Sequence, residues 1–244
     1  MRAIAQSAAT VIMSHYVTEI VVDHKDDNSP VTIADKQGEE IILAGLKKLA
    51  PHIPIVSEEA ASEGHIPEFG DCFFLVDPLD GTREFSEPPR PDWAVHVALA
   101  EDGHPTAGAV ALPGLGLTLS TLEANTTDDL APVPGAPRIV VSRTRPPAEA
   151  LEVAEALGGE LVEMGSAGAK AMAVVRGKVD VYVHSGGQYE WDNCAPAAVA
   201  ASVGLHVSRL DGSPLTYNHP DPYLPDLLIC RRELAAATLA AVAG

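Results

Sequence analysis

The chain has 244 residues, 46% of them hydrophobic and 20% charged, which describes a protein with a substantial buried core and excludes disorder. Its formal net charge of −18 excludes binding to nucleic acid through a basic surface. A small anionic substrate is compatible with that charge only where cations or local donors reverse the field.

In chain order, Ala3 to Thr18 reads as a helix, and Val21 to Ser29 as a loop or short hairpin closed by Pro30. Asp35 to Leu49 is a second helix with Ile41, Ile42, Leu46 and Leu49 as its apolar stripe, ended by Pro51. Ile53 to Ser57 is a short strand and Ala60 to Gly70 a loop. The apolar run Cys72 to Val76 does not alternate, which predicts a strand buried on both faces. Trp93 to Leu99 and Thr106 to Leu112 pair across the Glu101-Asp102-Gly103 turn, followed by a strand over Leu117 to Leu122. Thr126 to Pro137, rich in Pro, Asp, Thr and Gly, divides the chain into residues 1–130 and 131–244. Beyond it lie strands at Ile139 to Ser142, Leu161 to Met164, Val179 to Val183, Leu205 to Ser208 and Leu227 to Cys230. Helices fall at Ala148 to Leu157, Ser166 to Arg176, Asp192 to Val203 and Glu233 to Val242. The fold class is therefore α+β: helices with a mainly antiparallel sheet first, then an alternating α/β half.

No stretch is long and apolar enough to span a bilayer and the first residues lack a secretory pattern, so a cytoplasmic protein is expected. Cys72, Cys194 and Cys230 lie in or beside apolar runs and read as buried thiols.

The chemistry gathers at Asp77-Pro78-Leu79-Asp80-Gly81-Thr82. Two acids stand three apart where a buried strand ends, and Pro78 restricts Asp77 to extended geometry. Gly81 lets the backbone approach a ligand. Hard cations take oxygen ligands, which the two carboxylates and the Leu79 carbonyl supply; an acidic Asx turn is the plain alternative. Glu58 and Glu59 close another strand, and Asp35 and Asp192 stand at helix starts. There each either caps its helix or joins a shared metal site.

These segments, with Trp93-Ala-Val-His96, Gly165-Ser-Ala-Gly-Ala-Lys-Ala-Met172 and Tyr189-Glu-Trp-Asp192, resemble the signatures of the inositol monophosphatase superfamily. The likeness is greater to its 3'(2'),5'-bisphosphate nucleotidases of the CysQ type, in their actinobacterial form. Asp211-Gly-Ser-Pro-Leu215 and Asp221-Pro-Tyr-Leu-Pro-Asp226 extend it toward the C-terminus. The resemblance implies a layered αβαβα sugar-phosphatase fold and a Mg²⁺-dependent, lithium-sensitive phosphomonoesterase with two or three ions per site. It implies that Glu58, Asp77 and the Leu79 carbonyl hold one ion, and Asp77, Asp80 and Asp192 a second. Asp35 and Thr82 would activate water, with Glu59 behind them and the Gly81 and Thr82 amides receiving phosphate. Ile33 stands where the family often has an acid, and only Gly204 remains of a usual glycine pair.

For the substrate pocket, Gly165 and Ser166 precede a helix and allow close approach of a sugar or nucleotide. Lys170, one turn on, either meets a second phosphate or reaches solvent. The resemblance to nucleotidases implies that Ser142 and Arg143 form part of the pocket for the nucleoside or its nonreacting phosphate, and Arg suits bidentate phosphate contact; Arg145 is a weaker candidate because Pro146 and Pro147 follow. Glu190 is a surface acid or accepts from a sugar hydroxyl; Arg83 and Glu84 form a salt bridge or the rim. His96, in an apolar strand, reads as a core imidazole. The expected partner is a small phosphorylated substrate, by resemblance a nucleotide, with no nucleic acid or membrane; the family also implies a homodimer. The reaction expected is hydrolysis of 3'-phosphoadenosine 5'-phosphate to AMP and phosphate. The same chemistry on an inositol phosphate or fructose 1,6-bisphosphate is the alternative, and a noncatalytic Mg²⁺- or nucleotide-binding regulator the third reading.

Overall fold

The computed structural model describes residues 1–16, 20–24, 30–66, 70–122 and 135–244. Five layers stack as helix, sheet, helix, sheet, helix. The outer helices on one side are α1 (Arg2–Ser14) and α2 (Ile33–Leu49). α1 turns Ala5, Ala8, Ala9 and Ile12 inward, the spacing of one helical face. It ends at Ser14 rather than Thr18, and residues 17–19 lie outside the described ones. Strands β1 (Asp23–His24) and β2 (Pro30–Val31) pair antiparallel, and residues 25–29 are likewise outside the described ones. Thr32 caps α2: its hydroxyl accepts from the Ala34 N–H, while the Asp35 carboxylate accepts from the Thr32 N–H. Asp35 is thus the third residue of the helix and not its cap.

The first sheet has the order β3 (Ile55–Ser57), β4 (Cys72–Asp80), β5 (Ala94–Glu101), β6 (His104–Leu112), β7 (Leu117–Ser120). Only β3 and β4 run parallel. β4 sends Phe74 and Val76 toward α1 and α2, and Phe73 and Leu75 the other way, so it is buried on both faces as its composition predicts. It runs on to Asp80, past Val76, because the ladder with β5 slips between Asp77 and Asp80, around Pro78. A short helix α3 (Glu58–Ser62) replaces the start of the expected loop. Ser57 caps it, and two acids in its first turn suit the positive end of the helix dipole.

The second sheet has the order β11 (His206–Ser208), β12 (Tyr223–Cys230), β10 (Val181–Tyr189), β8 (Arg138–Ser142), β9 (Glu160–Met164). β8 runs parallel to both β9 and β10, and β12 is antiparallel to β10 and β11. β10 is longer than its apolar core suggests because it continues through a register shift between Ser185 and Gln188. Helices α6 (Ala167–Val175) and α7 (Glu190–Ser202) lie between the sheets. α5 (Ala148–Leu157) and α8 (Arg232–Ala243) cover the far side. α7 is buried over nearly its whole length, and Cys194, Ala195, Ala197, Ala198 and Ala200 are small enough to let both sheets close on it. Cys194 and Cys230 are buried thiols, Cys72 half-buried. No helix among the described residues is long and apolar enough to cross a membrane. Residues 123–134, where the sequence divides the chain, lie outside them.

Asp180, fully buried, ties the second sheet to α8. Its Oδ2 accepts from the Arg138 N–H and Nε–H, both at 2.9 Å, and its Oδ1 lies 3.2 Å from Arg231 Nε. Burial works to raise this carboxyl, but the Arg138 hydrogen bonds and the two guanidinium charges override it and hold it below the usual range. A depressed folded-state pKa gives stability that is present at neutral pH and is lost as pH falls through the folded value. Asp180→Ala, which removes the buried carboxylate that Arg138 and Arg231 share, is expected to lower unfolding free energy by about 3 kcal/mol at neutral pH. Urea denaturation measures it, and the difference from wild type should shrink in acid.

Candidate functional site

The strand-end motif folds into the floor of a cleft. Asp77 is buried, and its Oδ1 accepts from the Leu79 N–H at 2.9 Å, which fixes the carboxylate against its own turn. Gly81 adopts φ 89°, a left-handed conformation that glycine takes without strain, and this starts the single-turn helix α4 (Thr82–Phe85).

Asp35 reaches this floor from α2. Its Oδ2 accepts from the N–H and hydroxyl of Thr32, both at 2.7 Å, and its Oδ1 lies 3.0 Å from Thr82 Oγ1. Thr82 Oγ1 is also 3.1 Å from the Leu79 carbonyl. Burial pushes the Asp35 carboxyl up to about 6 against the lowering effect of those hydrogen bonds.

Asp80 is held from the middle layer. Its Oδ2 accepts from Ser166 Oγ at 2.5 Å and from the Gly168 N–H at 2.6 Å. Ser166 also caps α6, accepting from the Ala169 N–H, and it does so at φ 53°, a strained value for a residue with a side chain. Its hydroxyl thereby serves the helix and the acid together. Gly168 has no room for a side chain, since a Cβ there would lie 2.0 Å from His96 Nε2.

His96 was legible only as a core imidazole, and burial does keep its pKa low. It nevertheless sits within the acid cluster. Nδ1 is 3.3 Å from the Trp191 carbonyl, which makes it the protonated nitrogen, and Nε2 lies 3.3 Å from Asp80 Oδ2 without a hydrogen-bond partner. The missed signal was its register: His96 pairs directly with Asp77 across β4 and β5.

Asp192, in the first turn of α7, accepts from the Tyr189 N–H at 2.6 Å. Burial, then the charges of Asp80 and Glu58, push its carboxyl up. Burial followed by Glu58, Asp80 and Asp192 does the same to Asp77. Crowded carboxylates that raise one another's pKa form a site for a divalent cation. Among the described residues, Asp77, Asp80 and His96 each bring one donor atom within 4.8 Å of the others. The orphaned Nε2 and the oxygen-rich donor set fit such an ion.

Of the residues singled out in the sequence, Glu58, Asp80, Gly81, Thr82, Ser142, Gly165, Ser166, Lys170 and Asp192 line one cleft of about 270 Å³. Asp35, Glu59, Asp77 and Leu79 are buried and are not among its lining residues. Two expectations are corrected. Arg143 does not line the cleft: its Nε donates to Glu84 Oε1 at 2.7 Å and its Nη2 stands 2.8 Å from Glu87. Arg145, the weaker candidate, lines it instead, with Arg83, Thr144, His184 and Gln188. Glu190 is neither a surface acid nor a lining residue; it is buried, and accepts from the N–H groups of Asn218 and His219 at 3.0 and 2.9 Å. Lys170 does not reach solvent. Its Nζ donates to the Ser166 carbonyl at 2.7 Å and lies 5.3 Å from the centre of the Tyr182 ring. Burial lowers its pKa, opposed by Asp80 and Glu84.

The model of the inositol monophosphatase family matches residues 1–243. The chain belongs to that family. Within it, a 3'-phosphoadenosine 5'-phosphate phosphatase of Mycobacterium bovis is 50% identical over 216 residues, 86% of this chain and 80% of that protein. A crystal structure of CysQ from Bacteroides thetaiotaomicron, 28% identical, superposes with a TM-score of 0.71 over 94% of each chain. An IMPase of Thermotoga maritima reaches a TM-score of 0.79 over 99% of this chain and 94% of its own at 20% identity, and that likeness concerns the fold.

The raised carboxyls give this inositol monophosphatase family member a pH signature. Asp35, Asp77 and Asp192 bind protons more tightly folded than unfolded. The stabilising effect of each is full below the ordinary carboxylate range near roughly pH 4 and is lost as pH rises through its folded value, which for Asp35 is about 6. Metal-stripped protein should therefore melt lower at about pH 7.5 than at about pH 5, with added Mg²⁺ raising the midpoint more at the higher pH. A Mg²⁺ effect equal at both would contradict the shared carboxylate site.

Proposed function

We propose that the chain is a Mg²⁺-dependent phosphomonoesterase that hydrolyses 3'-phosphoadenosine 5'-phosphate to AMP and phosphate. The observation that carries the reading is the convergence of Glu58, Asp80 and Asp192, from three distant segments, on one cleft that also holds Lys170, Arg83 and Arg145. The relationship to 3'-phosphoadenosine 5'-phosphate phosphatases supports the substrate.

Glu58, Asp77, Asp80, Asp192 and the Leu79 carbonyl would hold two or three Mg²⁺. When bound, Mg²⁺ supplies Lewis acidity that acidifies water and neutralises phosphate charge. The chain's own residues do the rest. Water gives its proton to Thr82 Oγ1 as the Thr82 hydroxyl proton passes to Asp35 Oδ1, 3.0 Å away. A carboxyl raised to about 6 is better matched to that task than one at its ordinary value. The water oxygen bonds to phosphorus as the phosphorus–O3' bond breaks; the leaving ribose oxygen takes a proton from solvent, and Asp35 returns the one it accepted to solvent. The Gly81 and Thr82 amides receive the reacting phosphate, with Glu59 supporting Glu58 from within α3. Gly165 lines the cleft where the sugar would pass, its N–H turned back to Asp92 at 2.6 Å. Lys170 and Arg145, with the hydroxyls of Ser142 and Thr144, form the wall suited to the nonreacting phosphate.

Phosphate release from the adenosine bisphosphate, inositol phosphates and fructose 1,6-bisphosphate, with and without Mg²⁺, tests the reading. Mg²⁺-dependent turnover fastest on the nucleotide is expected. A faster cyclitol or sugar phosphate moves the substrate assignment, and binding without turnover of any ester makes the protein a regulator. Asp80→Asn should lower turnover at least about a hundredfold at saturating Mg²⁺. Near wild-type turnover in that folded variant would remove Asp80 from the site.

A further inference from the structure

Beside the cleft, five side chains form one hydrogen-bonded row. Tyr217 Oη donates to Asn193 Oδ1 at 2.9 Å, and Asn193 Nδ2 donates to Gln188 Oε1 at 3.3 Å. Gln188 Nε2 donates to Tyr182 Oη at 3.1 Å, and Tyr182 Oη stands 3.1 Å from His184 Nδ1. His184 Nε2 closes the row on the Gly186 carbonyl at 2.8 Å.

The direction of the row is fixed from its end. A carbonyl only accepts, so His184 Nε2 carries the proton. Burial pushes the His184 pKa down to about 4, so the ring is neutral and Nδ1 is an acceptor. Tyr182 must then donate to Nδ1 and accept from the Gln188 amide. That orientation turns the Gln188 carbonyl to the Asn193 amide and leaves the Asn193 carbonyl for Tyr217. Each link has one solution. Tyr182, Gln188, Asn193 and Tyr217 are at most 3% exposed, and apolar side chains of the same size would fill this interior without needing partners.

The row joins the cleft to the first turn of α7 and to Tyr217 beyond β11. His184 and Gln188 line the cleft, Asn193 follows Asp192 on α7, and the Tyr182 ring lies under the Lys170 ammonium. Tyr182 and Tyr217 do not line the cleft.

We propose that Tyr182 and Tyr217 are positioning residues: through this row they set where Lys170, His184 and Gln188 stand toward the nonreacting phosphate, and so determine selectivity for a bisphosphate over a monophosphate. This rests on the functional reading above. Conservative Tyr182→Phe and Tyr217→Phe variants, singly and together, test it on 3'-phosphoadenosine 5'-phosphate and on 3'-AMP. Tyr182→Phe should raise KM for the bisphosphate about tenfold with kcat within about twofold, and leave KM for 3'-AMP unchanged. Tyr217→Phe, at the far end, should shift KM the same way by less. The double variant should match the stronger single one, because both act through one row. A purely structural role would lower the thermal midpoint and leave KM alone. Folded variants with unchanged KM, equal KM increases on both substrates, or additive effects each overturn the inference. If wild type turns over neither compound, the functional reading falls and this inference with it; turnover without the KM split overturns the inference alone.

Discussion

Negative charge forced together in a space with little water is the condition that the rest of this structure accommodates. Asp77 and Asp192 are raised by burial and then by the charges of their neighbours. Such a cluster holds its shape only if each member is fastened separately. Leu79 fastens Asp77, Ser166 and Gly168 fasten Asp80, and Tyr189 fastens Asp192. Most of these donors are main-chain amides, fixed by the fold itself. A divalent ion would meet a site already shaped for it, where its charge would relieve repulsion with little rearrangement.

The middle layer makes this possible. α6 and α7 both point their first turns at the carboxylates, so their free amides and positive dipole ends face negative charge. Close contact between β5 and α6 depends on Gly168 lying against His96. Ser166 holds an unfavourable backbone angle so that one hydroxyl can cap a helix and bind Asp80. Strain and close approach therefore coincide where the chain brings the first sheet and the middle layer together.

Much of the site was legible because its acids stand at the ends of elements that the apolar pattern marks. Asp77 and Asp80 follow an unbroken apolar strand, and Asp35 opens a periodic helix. What the sequence hid depends on partners far along the chain. Arg143 and Arg145 are indistinguishable as letters; Glu84 and Glu87, nearly sixty residues earlier, claim the first and leave the second at the cleft. Glu190 reads as a sugar contact or a surface acid because nothing near it predicts that residues 218 and 219 fold over it. His96 carries no local sign of its role, since only strand register sets it opposite Asp77. The strand expected to end at Val183 runs on as β10 to Tyr189, through an irregularity between Ser185 and Gln188.

The interior helix α7 has a double allegiance. Its body fills the space between the two sheets, and its first turn carries Asp192. Exchanging a buried side chain along Cys194 to Ala200 would disturb the packing of a rod whose first turn carries the Asp192 carboxylate. Resistance to unfolding and accuracy of the site thus cannot drift apart freely in this protein. A packing defect too mild to unfold the chain would still move the acid, and interior positions with no contact to substrate are constrained as tightly as the acids they support.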